Sequence, residues 1–353
     1  MTLNVKIVGT GLLGTSLGLA LSRQGVTASL SDQSKSNLRL AVEYGAGVAE
    51  ENSPDLVVVC VPPDIAAEVI VAQLEQHPGA VVTDVASVKG EISKQVARES
   101  QHANRYIGSH PMAGREKGGP GSARADLFFA RPWIICSDNG ATQSQIDLVR
   151  DLALRVGALP VELSAEQHDS AVALVSHLPQ LVSSALATSL TIGSDEQLAL
   201  AGQGLRDTSR IASSDPDLWL QIISQNAQAL RPLITQVREE LASLEAALGE
   251  LDSPGALAKV HTLLARGNQG VARIPGKHGG KYTQYQQVTV MIDDSPGALA
   301  SLFTFVGEIG VNIEEIKLEH SPGAPIGLVE IQVVPASFDH LVQELTKNGW
   351  RLV

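Results

Sequence analysis

Residues 9–14 read Gly9-Thr10-Gly11-Leu12-Leu13-Gly14, and their flanks narrow the fold more than any other feature of the chain. Val5–Val8 before them is a short apolar run. Thr15–Gln24 after them has helical periodicity, and Thr27–Ser31 is a second apolar run that ends at Asp32. Glycines at this spacing are weak evidence alone. Placed between a strand and a helix, with an acid closing the next strand, they point to a dinucleotide-binding turn. Gly9 permits the tight turn, Gly11 lets a pyrophosphate approach backbone N–H groups, and Gly14 lets the helix pack closely on the sheet. The helix N-terminus stabilises phosphate charge. Asp32 accepts hydrogen bonds from an adenosine ribose and repels a 2′-phosphate, which favours NAD over NADP, although Lys35 lies close by. Leu12, Leu13 and the Val61-Pro62 pair at the end of a later strand complete the expected cofactor contacts.

The strand–helix alternation continues. Leu56–Val61, Ala80–Asp84, Tyr106–Ser109 and Pro132–Ser137 read as apolar strands, separated by helical patterns at Ile65–Gln76, after Lys89 and at Thr142–Val156. This predicts a parallel, doubly wound sheet with both faces covered. Ligands in such sheets collect beyond the carboxyl ends of the strands. Ser87 and His110 each follow a strand and are expected to face that crevice.

Composition removes several classes of function. The net charge of −12 at pH 7 argues against a nucleic-acid binder, and an aromatic content of 3% argues against base-stacking platforms. Cys60 and Cys136 sit in apolar runs without metal-ligand or CxxC spacing, which predicts reduced core thiols, no metal site and a cytoplasmic protein. Met1–Leu21 lacks a charged leader and a small-residue cleavage site, and no run of ~18 apolar residues is present, so neither a signal peptide nor a membrane span is expected.

From Ser164 to Leu248 the pattern is almost wholly helical. Polar clusters interrupt it at Gln167-His168-Asp169, Ser176-His177-Leu178-Pro179-Gln180 and Arg206-Asp207-Thr208-Ser209-Arg210-Ile211. His177, Gln180 and Arg210 lie among apolar neighbours. Buried polar groups require partners, and an arginine fork matches a carboxylate. No Asp or Glu occurs between Asp252 and Asp293, where Gly276–Gly280 reads as a tether or a basic flap. The heptapeptide Asp252-Ser253-Pro254-Gly255-Ala256-Leu257-Ala258 recurs at 294–300, and each copy is expected to open a helix with an Asp or Ser cap. Beyond the second copy the order is strand, helix, two strands, helix and a short edge strand, a ferredoxin-like unit.

Several of these segments carry a resemblance. Gly9–Gly14, Val85-Ala86-Ser87-Val88-Lys89, His110-Pro111-Met112-Ala113-Gly114, Ser176-His177-Leu178-Pro179 and Arg210–Pro216 resemble the prephenate/arogenate dehydrogenases of tyrosine synthesis nearly end to end. The C-terminal unit resembles an ACT domain through Asp294–Leu299 and Gly310-Val311-Asn312-Ile313. The resemblance implies an α/β Rossmann-type NAD-binding domain over residues 1–162 and an all-α substrate and dimerisation domain over 163–270. A basic linker over 271–285 and a βαββαβ ACT domain over 286–353 would follow. It further implies His110 as the base at the substrate 4-hydroxyl, with Ser87 holding that hydroxyl and the nicotinamide in register. Arg210 would bind a substrate carboxylate, His177 would lie on the substrate side, and Glu116 would gate or polarise the site. Asp294, Gly297, Ala298, Leu299, Asn312 and Ile313 would bind a regulatory amino acid, with tyrosine expected. Many relatives carry histidine where this chain has Gln180, which leaves arogenate or dual cyclohexadienyl specificity open beside prephenate. A homodimer through the helices Leu181–Leu190 and Leu230–Leu248 is also expected. A silent NAD- and amino-acid-binding regulator is the alternative of a different class.

Overall fold

The computed structural model describes residues 3–50, 53–115, 117–275, 285–320 and 326–353. By packing, the chain divides into two compact units, Met1–Arg238 and Glu239–Val353.

The first unit is built on seven strands: β1 (Val5–Val8), β2 (Ser29–Ser31), β3 (Leu56–Val59), β4 (Val81–Asp84), β5 (Tyr106–Pro111), β6 (Pro132–Cys136) and β7 (Leu159–Glu162). They lie in the order β2-β1-β3-β4-β5-β6-β7. Side chains alternate across a strand. Accordingly Leu56 and Val58 enter one core with Leu17, Leu21 and Trp133, while Val57 and Val59 enter another with Ile70, Leu74 and Tyr106. Both faces are covered, as the continuous apolar runs require.

The expectation of an all-parallel sheet is corrected at its far end. β1 to β5 are parallel neighbours, but β6 runs antiparallel to β5, pairing Gly108 with Cys136 and Pro111 with Trp133, and β7 is parallel to β6. A parallel return needs a crossover, usually a helix. Among the described residues of 112–131 the one helical element is the turn Pro120–Ser122, so the chain comes back antiparallel. β7 itself was not expected. It is a four-residue edge strand with Leu159 and Val161 exposed, and it lacks the apolar run that marks the inner strands.

A helical run then begins at Ser164, whose side chain accepts from Gln167 N–H while Gln167 returns a bond to the cap, and it continues as Ala165–Val172, a π-turn Ala173–His177 and Leu178–Ser189. Although the sequence shows no unbroken apolar run of ~18 residues, Ala165–Ile192 is long enough, and apolar enough over an 18-residue window of mean hydropathy 1.3, to cross a bilayer by length and composition. Its buried His168, Asp169 and His177 are hydrogen-bonded within this same unit, which gives the run a polar, internally satisfied face. The helix Pro216–Gln225 packs back onto the sheet through Ile222 and Trp219.

The second unit contains the helix Ala256–Val271 and an antiparallel sheet of β8 (Gln286–Asp293), β9 (Glu315–His320), β10 (Ile326–Val333) and β11 (Arg351–Leu352), ordered β11-β8-β10-β9. The helices Ala298–Glu308 and Pro335–Lys347 bury Leu302, Val306, Leu341 and Leu345 against Val290, Val329 and Ile331. The βαββαβ order is as expected. The caps of the repeated heptapeptide are not. In both copies the cap is glycine in the left-handed region, Gly255 at φ +88° and Gly297 at φ +91°, and no side chain caps either helix. That conformation costs glycine nothing.

Candidate active site

The dinucleotide turn is explained only in part by the fold itself. Gly9 has φ +97°, and a Cβ there would stand 2.5 Å from the Cys60 carbonyl oxygen. A Cβ at Gly14 would stand 1.9 Å from the Gly9 carbonyl oxygen. These two glycines are demanded by helix–strand packing. Gly11 is different, because a Cβ there would meet nothing within 4 Å. It opens the helix Leu12–Arg23, whose N-terminus no side chain caps. An uncapped helix start beside a glycine that protein packing does not require fits a phosphate-bearing ligand. Val61 lies against the same turn, its Cγ1 3.2 Å from the Cβ position of Gly9, and Pro62 caps the helix Pro63–Gln76. Asp32 faces the turn, accepting at Oδ2 from Thr10 N–H (2.6 Å) and Thr10 Oγ–H (2.7 Å) and at Oδ1 from Ser34 N–H (2.7 Å).

His110 lies near the end of β5, partly buried, with Nδ1 2.8 Å from His168 Nε2. His168 Nδ1 is in turn 2.8 Å from Asp169 Oδ1. Burial opposes charge on Asp169, but hydrogen bonds from His168 and from the Gly90 and Lys89 N–H groups prevail and hold its carboxyl below the usual range. An ionised Asp169 fixes the proton of His168 on Nδ1. His168 Nε2 is then an acceptor, so His110 carries its proton on Nδ1 and presents Nε2 as a free lone pair. Burial, reinforced by His168, Lys89 and His177, pushes the His110 proton affinity well below that of an ordinary histidine and keeps the ring neutral. The chain Asp169–His168–His110 thus sets both the orientation and the tautomer of the terminal imidazole.

The loop carrying Ser87 is pinned on both sides. Ala86 N–H donates to Asp84 Oδ2 (3.0 Å), while Lys89 N–H (2.9 Å) and Gly90 N–H (2.8 Å) donate to Asp169. The buried Lys89 ammonium pairs with Asp84 and donates to the Ser109 carbonyl oxygen (2.8 Å), tying the loop to the strand that holds His110. Tyr106 Oη–H also donates to Asp84 (3.0 Å).

The π-turn decides where His177 lies. An unbroken α-helix advances ~100° per residue, which would leave Asp169 and His177, eight residues apart, about 80° apart around the axis. The wider turn removes part of that rotation and brings His177 back toward Asp169. Asn226, buried at the end of the helix Pro216–Gln225, bridges the two: its Nδ2 donates to the Asp169 carbonyl oxygen (2.9 Å) and to His177 Nδ1 (3.1 Å). Burial pushes the His177 imidazole down to about 4, so this ring too is neutral near pH 7. Trp219 stands edge-to-face against it at 5.9 Å.

Gln180 is buried one turn further along, its Nε2 3.4 Å from Ser184 Oγ. Arg210, expected among apolar neighbours, is exposed. It starts the turn Arg210–Ser213, which the Ser183 Oγ–H bond to the Thr208 carbonyl oxygen (2.7 Å) ties to the helix of Gln180. The exposure follows from the short 3-10 turn, whose residues Arg210–Ser213 bury none of their side chains in this chain. Glu116 lies outside the described residues, as do 276–284 of the expected basic linker. In the second unit, Asp294, Gly297, Ala298 and Leu299 line one hollow with Leu318 and Gly327. Asn312 is not among its walls and instead donates to Glu314 Oε1 (2.7 Å), while Ile313 packs on the core. His168, Asp169, Lys89, Asp84 and Asn226 are the residues that sequence reasoning did not assign to the site. The polar Gln167-His168-Asp169 step within an apolar helix was the available signal for two of them.

Comparison with known proteins finds two family models that match successive parts of the chain. A family model described as prephenate dehydrogenase, nucleotide-binding domain, matches residues 17–162, and one described as prephenate dehydrogenase, dimerization domain, matches residues 164–262. The protein described as probable prephenate dehydrogenase NovF of Streptomyces niveus is 35% identical, with 98% of this chain and 98% of that protein covered. The structure of prephenate dehydrogenase from A. aeolicus, in complex with hydroxyphenyl propionate and NAD+, is similar at a TM-score of 0.67 and 26% identity, covering 76% of this chain and 98% of that one. Synechocystis arogenate dehydrogenase is similar at a TM-score of 0.64 and 27% identity, covering 76% and 99%.

Proposed function

This chain belongs to the prephenate dehydrogenase family, and from that premise we propose that it catalyses the NAD-dependent oxidative decarboxylation of prephenate to 4-hydroxyphenylpyruvate in tyrosine biosynthesis. The observation that carries the reading is the Asp169–His168–His110 chain, which ends in a neutral imidazole with its Nε2 lone pair available. Gly9, Gly11, Leu12, Leu13, Gly14, Asp32, Val61, Pro62 and Ser87 would hold NAD+. When bound, that cofactor supplies the acceptor for the hydride of substrate C4.

His110 Nε2 accepts the proton of the 4-hydroxyl as the carbonyl forms, which is general-base catalysis by a group neutral at working pH. Ser87, on its pinned loop, orients that hydroxyl. The ring carboxylate leaves as CO2 and aromatisation makes the reaction irreversible. Arg210 receives a substrate carboxylate, Gln180 and His177 border the substrate side chain, and Glu116 gates or polarises the site. Changing Arg210 to alanine is expected to raise the KM for substrate by roughly 10–100-fold, the size of a lost charge-assisted bond. The Kd for NAD+, measured by titration calorimetry, should stay unchanged.

Gln180 favours a second reading. A glutamine amide serves an amino group as readily as a keto group, so arogenate is the competing substrate. Initial rates of the purified enzyme with prephenate and with arogenate, each with NAD+ and NADP+, decide between them. A large preference for arogenate replaces the first reading with the second, and turnover of neither substrate removes both in favour of a silent regulator.

Residues 286–353 of the second unit are read as an ACT domain whose hollow at Asp294, Gly297, Ala298 and Leu299 takes tyrosine and inhibits; rates insensitive to tyrosine remove that reading. Exposed Val182, Leu186, Ile234, Leu241 and Leu248 support a homodimer through the helices that carry them. The two free cysteines, with burial pushing the Cys136 thiol up to about 12, suit a cytoplasmic enzyme with inert thiols.

A further inference from the structure

Thr10 is buried between the two outer glycines of the turn, and its hydrogen bonds go to one place. Its N–H (2.6 Å) and its Oγ–H (2.7 Å) both donate to Asp32 Oδ2. Its carbonyl oxygen accepts from the buried Thr15 Oγ–H (2.9 Å), and Gly9 N–H donates to the Ser31 carbonyl oxygen (2.8 Å). The turn after β1 and the end of β2 are therefore stitched together through residue 10. A carboxylate offers about four lone-pair positions. Thr10 occupies both on Oδ2 and Ser34 N–H takes one on Oδ1, so a single acceptor position remains, on Oδ1. The carboxylate has no freedom to turn aside.

We infer that Thr10 is a coenzyme-specificity residue: its hydroxyl clamps Asp32 as a fixed anion at the adenosine ribose, so that a ribose hydroxyl is accepted and a 2′-phosphate is refused. This rests on the dinucleotide-binding reading of the turn. Fixation matters because Lys35, exposed three residues beyond Asp32, is a cation that attracts a 2′-phosphate once the carboxylate yields. An Asp32 held by Ser34 and the Thr10 amide alone rotates away from added negative charge and leaves Lys35 to receive it. An Asp32 held also by the hydroxyl cannot, and the repulsion between two fixed anions persists.

The test is equilibrium binding of NAD+ and NADP+ to the full chain without substrate, by titration calorimetry, for the wild type and for Thr10→Val, Thr10→Ala and Thr10→Ser, with thermal unfolding midpoints as a check on folding. Loss of a hydrogen bond to a charged acceptor predicts that the ratio of Kd for NADP+ to Kd for NAD+ falls by about 10-fold or more in Thr10→Val and Thr10→Ala. Thr10→Ser keeps the hydroxyl and should hold the wild-type ratio. A ratio unchanged in both the valine and alanine variants, in folded protein, overturns the inference, as does a serine variant that loses discrimination like the alanine one. Failure of the wild type itself to bind NAD+ counts against the dinucleotide-binding reading on which the inference rests, and so is distinct from these outcomes.

Discussion

Replacing His110 with alanine is expected to lower kcat by ~10²–10⁴-fold, the usual contribution of a positioned general base. The size follows from what the fold invests in this one ring. His168 and Asp169 set its tautomer, burial keeps it neutral, and the Asp84–Lys89 pair fixes the strand that carries it. None of these groups lies in the turn at Gly9–Gly14, so the Kd for NAD+ should remain within ~2-fold of wild type when the lost contacts are not the cofactor's. Single-turnover rates and calorimetric titration of the same preparation separate the two quantities. Turnover of the alanine variant near the wild-type level removes His110 from the reaction.

The second large effect is expected one residue further back. His168 is fully buried, and in the proposed reaction it touches neither substrate nor cofactor, so it acts as a positioning residue through His110. His168→Leu leaves the His110 Nδ1–H without an acceptor and its tautomer unassigned. A loss of ~10–100-fold in kcat is expected, the range seen when an orienting partner is removed from an imidazole. His168→Gln, whose side-chain oxygen accepts from His110 Nδ1–H, should recover part of the loss. In the leucine variant the acidic limb of the rate profile should also move, because His110 Nδ1–H loses the acceptor it has in the wild type. Equal losses in the leucine and glutamine variants, with no movement of the limb, reduce His168 to a packing residue.

The sequence was most legible where sterics alone decide. Gly9 and Gly14 announce themselves because any Cβ at those positions collides with backbone, and that requirement is local. The apolar runs of β1, β3 and β4 are legible because both sheet faces are covered. The direction of β6 was not. A strand buried on both faces carries the same hydrophobic pattern whichever way it runs, so only the lack of a crossover helix among the described residues of 112–131 carried the information. β7 was invisible because an edge strand needs no continuous apolar run.

The site divides in the same way. His110 and Ser87 follow from their places at strand ends. Two partners of the Asp169 carboxylate lie 80 and 79 residues away, at the Lys89 and Gly90 amides, and backbone donors leave no trace in side-chain identity. The π-turn that swings His177 toward Asn226 also leaves no period in the sequence. Arg210 stands exposed because its turn reaches no core of this chain, a property of the short turn that its apolar sequence neighbours conceal.

The most direct measurement is the pH dependence of kcat/KM for the wild-type enzyme, with NADH formation and CO2 release followed together on prephenate. A base whose folded-state proton affinity is depressed stays unprotonated until the pH falls below ~6.5, the ordinary histidine value. The account predicts equal yields of NADH and CO2, a rate that is flat through neutrality, and an acidic limb displaced below ~6.5 that vanishes with His110→Ala. NADH without CO2, a limb above that value, or a limb that survives in the alanine variant contradicts it.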